Sequence, residues 1–479
     1  MSTTNLFHHE ALNEDAMQHQ DLDLQEERTM SAHSNNYGTI ISSHHSTENS
    51  ECNSSNEEYR PDFSTTITKL KYGGRTSTAG ATFIMLNALI GSAFLNLPYA
   101  TKVFNLEMLL FGQLPIVLIS ILVLIFLATA IEMTQKIALQ DIIQVLFGSK
   151  LKVIIDIALL CYTFATCVGY MMVVEDQSVL LIQWFVNTEE LPAANLELWD
   201  KAIAALSCLI MVYPLCIPRS VNFLYYPSVA SFFVNLYVVV FVIVRYFTME
   251  EQTRPRNITE PAWSMEAFVG FVAVVIFEFQ GFFTAPAIYS DLKRRTPTNW
   301  LIVCSLSNFG SLIVYTALAA FVLMTFGTAV DEDFLNTYET NDPLAITARL
   351  CIMTSVIASY PIICFVACKV IQDYLFAPDK LQTGPLSFGK YFTLKTSFFF
   401  LTLLCMLFAP GMSQVFILSG ILASFSTLAL PGMVMIRIRK EYGRAEVFVM
   451  ILGWIFIVTN IVFVAGYLYT KTPLKLIWS

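Results

Sequence analysis

Charge is scarce in this sequence, and so are the residues that most enzymes use. Asp, Glu, Lys and Arg together supply 14% of the 479 residues, against about a quarter in a soluble globular chain. The six histidines all lie between His8 and His45, so no H-E-x-x-H helix is present; a P-loop is missing too, as is a G-x-S-x-G in a suitable context. Convergent nucleophiles, metal ligands or a cofactor loop are therefore not to be found, and no catalytic residues are expected. Of the ten cysteines only Cys52 lies outside an apolar segment or its edge, and none forms a C-x-x-C pair, which argues against a zinc site and against an extracellular disulfide framework. With a net charge of -9 the chain also lacks the basic surface that nucleic acid requires.

What is abundant is apolar length. Hydrophobic residues make up 55% of the chain, bunched into runs of roughly 20 or more, enough to cross a hydrocarbon core of ~30 Å at ~1.5 Å per residue. The runs fall near 79–104, 108–131, 153–180, 202–218, 221–246, 265–289, 299–326, 344–370, 391–411, 413–436 and 447–469. This predicts an all-α membrane protein of 11 transmembrane helices, surrounded by membrane lipid, with an amphipathic helix in 135–152 lying at the interface. The first 60 residues differ: eleven Asp or Glu stand against Arg28 and Arg60, among Ser, Asn and His. Such a segment buries too little to offset its ordering entropy, so 1–75 is expected to be a disordered acidic cytosolic tail. Residues 76–470 then form the transmembrane domain and 471–479 a short non-cytosolic tail. No basic region followed by a short apolar core opens the chain, so the first span is expected to serve as its own insertion signal.

Lysines and arginines fix the expected orientation. With the amino terminus in the cytosol, the inside segments carry Lys69, Lys71, Arg75, Lys136, Lys150, Lys152, Arg219, Lys293, Arg294, Arg295, Arg437, Arg439, Lys440 and Arg444, and the outside flanks carry fewer. After eleven crossings the carboxyl terminus lies outside or in a lumen. The Asn257-Ile258-Thr259 sequon falls on the glycosylating side.

Two spans are interrupted. The first reads Asn87-Ala88-Leu89-Ile90-Gly91-Ser92-Ala93 with Pro98 beyond, and the sixth reads Phe277-Glu278-Phe279-Gln280-Gly281 with Pro286 beyond. A broken helix leaves N–H and C=O groups that lipid cannot satisfy, so breaks point to a buried, polar-lined site. The breaks fall in spans 1 and 6, five spans apart, and five is odd, so two successive five-helix units run in opposite senses: an inverted 5+5 repeat with discontinuous helices 1 and 6, plus one extra helix. Half-helix ends at the midplane attract a carboxylate and a cation or ammonium, and a zwitterionic amino acid has both groups. Ala88, Gly91, Ser92, Ala93, Phe277, Glu278, Gln280 and Gly281 are the expected substrate-binding residues, with Tyr170 of the third span as an aromatic cap. The same small residues also let membrane helices approach closely. Glu278 stands out, because a carboxylate near a helix centre costs several kcal/mol unless paired, protonated or wet. In the eighth span Thr354, Ser355 and Ser359 lie one and two turns before or beside Pro361, offering hydroxyls to a cation's oxygen shell; such hydroxyls also bond back to their own helix.

These residues resemble the sodium-coupled neutral amino acid transporters of the amino acid/auxin permease superfamily over most of 76–470. The resemblance rests on Asn87 to Ser92, on Tyr162 to Tyr170 with Asp176-Gln177, on Pro214 to Arg219, on Phe277 to Gln280 and on Ala358 to Ile362. The last of these looks most like the branch of lysosomal glutamine and asparagine exporters. The resemblance implies sodium as the coupling ion, with Asn87 and Ser359 among its ligands. The sequence departs from the family pattern at Ala93, Glu175 and Glu278, and at Gly281-Phe282, where a Cys-His pair is common. Glu278 also raises a proton as coupling ion. An amino-acid sensor with little flux shares every feature named so far. Tyr37-Gly38-Thr39-Ile40 fits a tyrosine-based sorting signal, so the tail is a candidate contact for sorting machinery, and both lysosomal or endosomal and plasma membranes are open as locations.

Overall fold

The computed structural model describes residues 74, 76–104, 106–136, 138–186, 196–218, 225–249, 263–375 and 387–471. The acidic tail up to residue 73, the Tyr37 motif, Asn257 and residues 472–479 lie outside the described residues.

Within the described residues the apolar runs fall on helix, and no strand is present there beyond the single bridge between Thr76 and Leu292. We number the helices in chain order. The first run divides into α1 (Thr78–Leu89), a 3₁₀ turn (Ser92–Leu95) and α2 (Leu97–Thr101). Next come α3 (Leu106–Thr134), the short amphipathic α4 (Leu139–Phe147) and the long α5 (Ser149–Val186). Helices α6 (Leu196–Ser207) and α7 (Tyr213–Cys216) are joined by the turn Cys208–Val212 into one helical element, followed by α8 (Tyr225–Thr248). The second interrupted run gives α9 (Met265–Glu278) and α10 (Ala285–Ser290). Then follow α11 (Pro297–Phe326), α12 (Pro343–Leu375), α13 (Phe388–Leu407), α14 (Met412–Ser424), α15 (Leu430–Ile438) and α16 (Glu446–Lys471).

Local chemistry accounts for the starts, bulges and turns. Ser77, Ser264 and Thr296 cap α1, α9 and α11 by accepting backbone N–H bonds from Gly80, Ala267 and Asn299. Two π-type turns, Cys208–Val212 and Phe425–Ala429, precede Pro214 and Pro431. A proline lacks the N–H of the i→i−4 bond and its ring presses on the preceding turn, so the helix widens there instead of ending. Gly148, at φ 86°, reverses the chain between α4 and α5, and Gly443, at φ 51°, does so between α15 and α16.

Among the described residues, eight stretches are long and apolar enough to cross a membrane. The longest, Met412–Thr470, folds back at Gly443, so that α15 packs on α16 with Gly432 and Gly453 at the crossing. The interrupted runs at 78–101 and 265–290 are not among the eight, because each is split below that length. Large apolar side chains such as Ile313, Phe408 and Phe448 point outward, as lipid-facing residues do. The interrupted helices sit inside: Met85, Leu89, Phe94, Val274 and Ile276 are all buried.

Candidate functional site

Helix α1 ends at Leu89, and its C-cap residue Ile90 is extended at φ −77°, ψ 90°. Two side chains from distant helices satisfy the backbone groups this break releases. The Tyr315 hydroxyl of α11 donates to the Leu89 carbonyl at 2.6 Å and accepts from the Gly91 N–H at 3.3 Å. The Asn235 amide of α8 donates to the Ile90 carbonyl at 3.3 Å. The second break is treated likewise: Ser120 of α3 donates to the Phe279 carbonyl at 3.3 Å. The Gln280 side chain turns to the π-type turn beyond α14, where its amide NH₂ meets the Ser426 hydroxyl and its oxygen accepts from Thr427 at 2.6 Å. Both breaks are thus held open by fixed polar side chains, as the absence of water in a bilayer core demands.

Between the breaks lies a cavity of about 650 Å³. Ala88, Gly91, Tyr170, Phe277, Glu278 and Gln280 line it, and Tyr162, Phe283 and Tyr315 complete its aromatic wall. Tyr162 meets Phe277 and Phe283 edge-on or tilted, at 6.0 and 5.4 Å between ring centroids, and Phe277 stacks on Phe416. The cavity runs from there to a charged rim formed by Asp141, Lys152, Asp156, Lys369 and Asp373, where Tyr374 donates to Asp156 at 2.6 Å. Glu278 is 2% exposed, and neither of its carboxyl oxygens has a hydrogen-bond partner among the described residues.

The remaining expected site residues stand elsewhere. Gly281 is not on the cavity wall: a Cβ added there would come 2.4 Å from Met85 Cε and 3.2 Å from Leu89 Cδ2, so its smallness makes room for α1. Ser92 and Ala93 belong to the 3₁₀ turn, and Asn87 lies on the last turn of α1, half-buried. Ser355 is buried in α12, and the half-buried Ser359 donates to the Ser355 carbonyl at 2.9 Å. That bond uses the hydroxyl proton and leaves the oxygen's lone pairs, the part a cation needs, unspent. Tyr315, Asn235, Ser120 and Ser426-Thr427 were not singled out in the sequence. Only Asn235, an amide inside an apolar span, carries a visible signal there.

At the other end of the bundle from the charged rim, the α11–α12 connector joins several helices. Its Glu332 carbonyl accepts from Asn96 at 2.9 Å, its Glu332 carboxylate accepts from the Ser413 N–H at 3.0 Å, and Lys102 donates to the Val330 carbonyl. Buried Asp333 accepts from Gln177 of α5 at 2.7 Å, while Arg349 of α12 donates to the carbonyls of Leu335 and Tyr338.

Comparison with known proteins fits this architecture. Residues 74–471 match the family described as transmembrane amino acid transporter protein. The sodium-coupled neutral amino acid transporter 7 of Bos taurus is 27% identical over 405 residues, 82% of this chain and 87% of that protein. The human protein of the same name is 28% identical over 404 residues, with the same coverage. A putative sodium-coupled neutral amino acid transporter 8 of Xenopus tropicalis is 29% identical, covering 75% of this chain and 84% of the relative. Among solved structures, the crystal structure of MhsT in complex with L-phenylalanine superimposes with a TM-score of 0.53 at 11% identity, covering 83% of this chain and 99% of MhsT. That likeness is one of fold. A bundle of apolar helices with two interrupted members around a cavity, matched to one family along nearly all its described length, is an integral multi-pass membrane protein of the transmembrane amino acid transporter family.

Proposed function

We propose that this chain is a secondary active transporter of small neutral amino acids of the glutamine and asparagine kind, driven by sodium. The observation that carries this reading is the cavity between the two helix breaks, lined by Ala88, Gly91, Tyr170, Phe277, Glu278 and Gln280. The names of the relatives supply the neutral substrate class and the ion. The proposed architecture is eleven crossings: α1–α2 opens one five-helix unit, α9–α10 opens a second of opposite sense, and α16 is the extra helix. In the proposed orientation the tail 1–75 is cytosolic and the charged rim opens the cavity to the cytosol, while the α11–α12 connector closes the far side. Asn257 then faces outside or into a lumen, so a glycosidase-sensitive mobility shift that disappears in Asn257→Gln is expected. Retention of that shift by the variant, together with glycosylation of a reporter sequon at 290–298, would reverse the orientation. The Tyr37 motif supports lysosomal or endosomal delivery.

For the ion we propose Asn87 with Ser355 and Ser359. An amide oxygen and hydroxyls complete a small hard-cation shell without two buried carboxylates, and the Ser359 hydroxyl is already oriented with its oxygen free to accept. One observation favours a second reading: unpartnered Glu278 would suit a proton carrier. Proteoliposomes separate the two. Sodium coupling predicts glutamine-driven current that vanishes in choline and is lost in Asn87→Ala. Transport that survives without sodium, follows the pH gradient and is uncoupled in Glu278→Gln would instead assign coupling to the carboxyl. Binding without any flux would make the chain a sensor.

A further inference from the structure

We propose that the cavity is built to take amino acids whose side chain carries a positive charge, an ammonium or a guanidinium, and that Glu278 is the residue that selects them. The inference rests on the transport reading above and deepens it by naming a substrate class beyond the neutral one.

Three observations meet at this residue. Glu278 lines the cavity, is 2% exposed, and has both carboxyl oxygens without a partner among the described residues. Two polar neighbours able to fill that need are committed elsewhere. The Tyr315 hydroxyl donates to the Leu89 carbonyl, and Gln280 is spent on Ser426 and Thr427. No described lysine or arginine pairs with Glu278, and the cationic lining residues belong to the rim: Lys152 stands about 27 Å back along α5 from Tyr170 at ~1.5 Å per residue. A buried carboxylate left in this state is costly, and a ligand that supplies the missing partner recovers that cost on binding.

The surrounding walls fit the same ligand. Tyr162, Tyr170, Phe277 and Phe283 give the cavity a wall of aromatic rings, and a cation over such a ring gains electrostatic attraction that strengthens as water is excluded. A carboxylate set among aromatic faces is the chemistry that recognises an organic cation. Charge arithmetic then separates substrates. A neutral amino acid is a zwitterion whose ammonium is offset by its own carboxylate, so it leaves the charge of Glu278 uncompensated in a low-dielectric space. A lysine-like or arginine-like substrate arrives with one net positive charge and closes the balance without a proton or a metal ion. The volume of about 650 Å³ leaves room for such a long side chain.

The test needs pairs of probes that differ in charge and little in shape. L-lysine is compared with L-norleucine, and L-arginine with L-citrulline, as competitors of glutamine uptake in proteoliposomes, as radiolabelled substrates, and as stabilisers of the purified full chain in thermal shift. We expect each charged probe to bind at least about tenfold more tightly than its uncharged partner, the scale of an interaction between buried charges. The ratio of lysine to glutamine uptake should fall by a similar factor in Glu278→Gln. If that variant fails to insert, the wild-type probe pairs decide alone. Equal or better binding of norleucine and citrulline overturns the proposal and hands the neutralising charge to the coupling ion. Glutamine flux with no effect of lysine sinks this proposal and leaves the transport reading standing. Absent glutamine flux defeats that reading, and the thermal shift still decides this one.

Discussion

At the scale of single residues, the two glycines of the interrupted helices answer different needs. Gly91 faces open space: a Cβ built there meets nothing within 4 Å, and the residue lies on the cavity wall. Gly281 faces Met85 and Leu89 of α1 at distances a side chain would violate. We therefore expect Gly91→Leu to reach the membrane in near-normal amount while uptake falls at least about tenfold, since its side chain projects into substrate space. Gly281→Leu should instead lower abundance and thermal stability, an overpacking cost of about 1–3 kcal/mol, and Met85→Ala in the same chain should restore part of the loss. Size-exclusion profiles and uptake per molecule distinguish the two. Normal uptake in Gly91→Leu would remove this residue from the cavity wall. In sequence both read alike, as small residues in apolar runs, because sequence spacing says where a helix breaks and not which side of the break faces a neighbour.

At the scale of elements, the apolar runs and proline positions were enough to place the helices, since hydropathy and the missing proline N–H act locally. Leu89 and Glu278 end their helices within the interrupted stretches Asn87 to Ala93 and Phe277 to Gly281. The partners of those breaks were not legible. Tyr315, Ser120 and Thr427 look like ordinary polar residues of apolar helices, and their role exists only because α11, α3 and the turn beyond α14 pass the released backbone groups. Close helix contacts were hidden for the same reason. Gly420 lets α14 reach the backbone of α9, where a Cβ would fall 1.9 Å from the Ala273 carbonyl oxygen. Nothing in the local sequence of Gly420 distinguishes that contact from any other glycine in a membrane helix. The two π-type turns are partly legible through Pro214 and Pro431, but the polar pair Ser426-Thr427 gains its meaning from Gln280, 146 and 147 positions away.

For the molecule as a whole, the cavity opens at one end of the bundle, and the α11–α12 connector ties α2, α5, α12 and α14 together at the other. Asp333 is the titratable centre of that tie. Burial pushes its carboxyl up to about 7, against hydrogen bonds from the Leu335 N–H and the Gln177 amide that favour the ionised form; Asp331 pushes the same way as burial, and Arg349 opposes it. A carboxyl whose folded value stands above its ordinary 3.8 stabilises the fold fully only below that ordinary value. The contribution then fades as pH rises, and is lost once pH passes the folded value near 7. The connector is accordingly expected to be tighter near pH 5 than near pH 8. Thermal unfolding of the purified protein should show a midpoint that falls over this interval by on the order of a few degrees, and Asp333→Asn, which is neutral throughout and keeps an acceptor for Gln177, should flatten that part of the slope. An unchanged slope in the variant, or a wild-type midpoint that rises with pH through the same interval, would show that Asp333 does not govern the tie. With the connector on the non-cytosolic side, as proposed, an acidic lumen would hold the far side closed and a neutral exterior would loosen it. Compartment pH would then bias which face of the membrane the cavity meets, through a residue that touches no substrate.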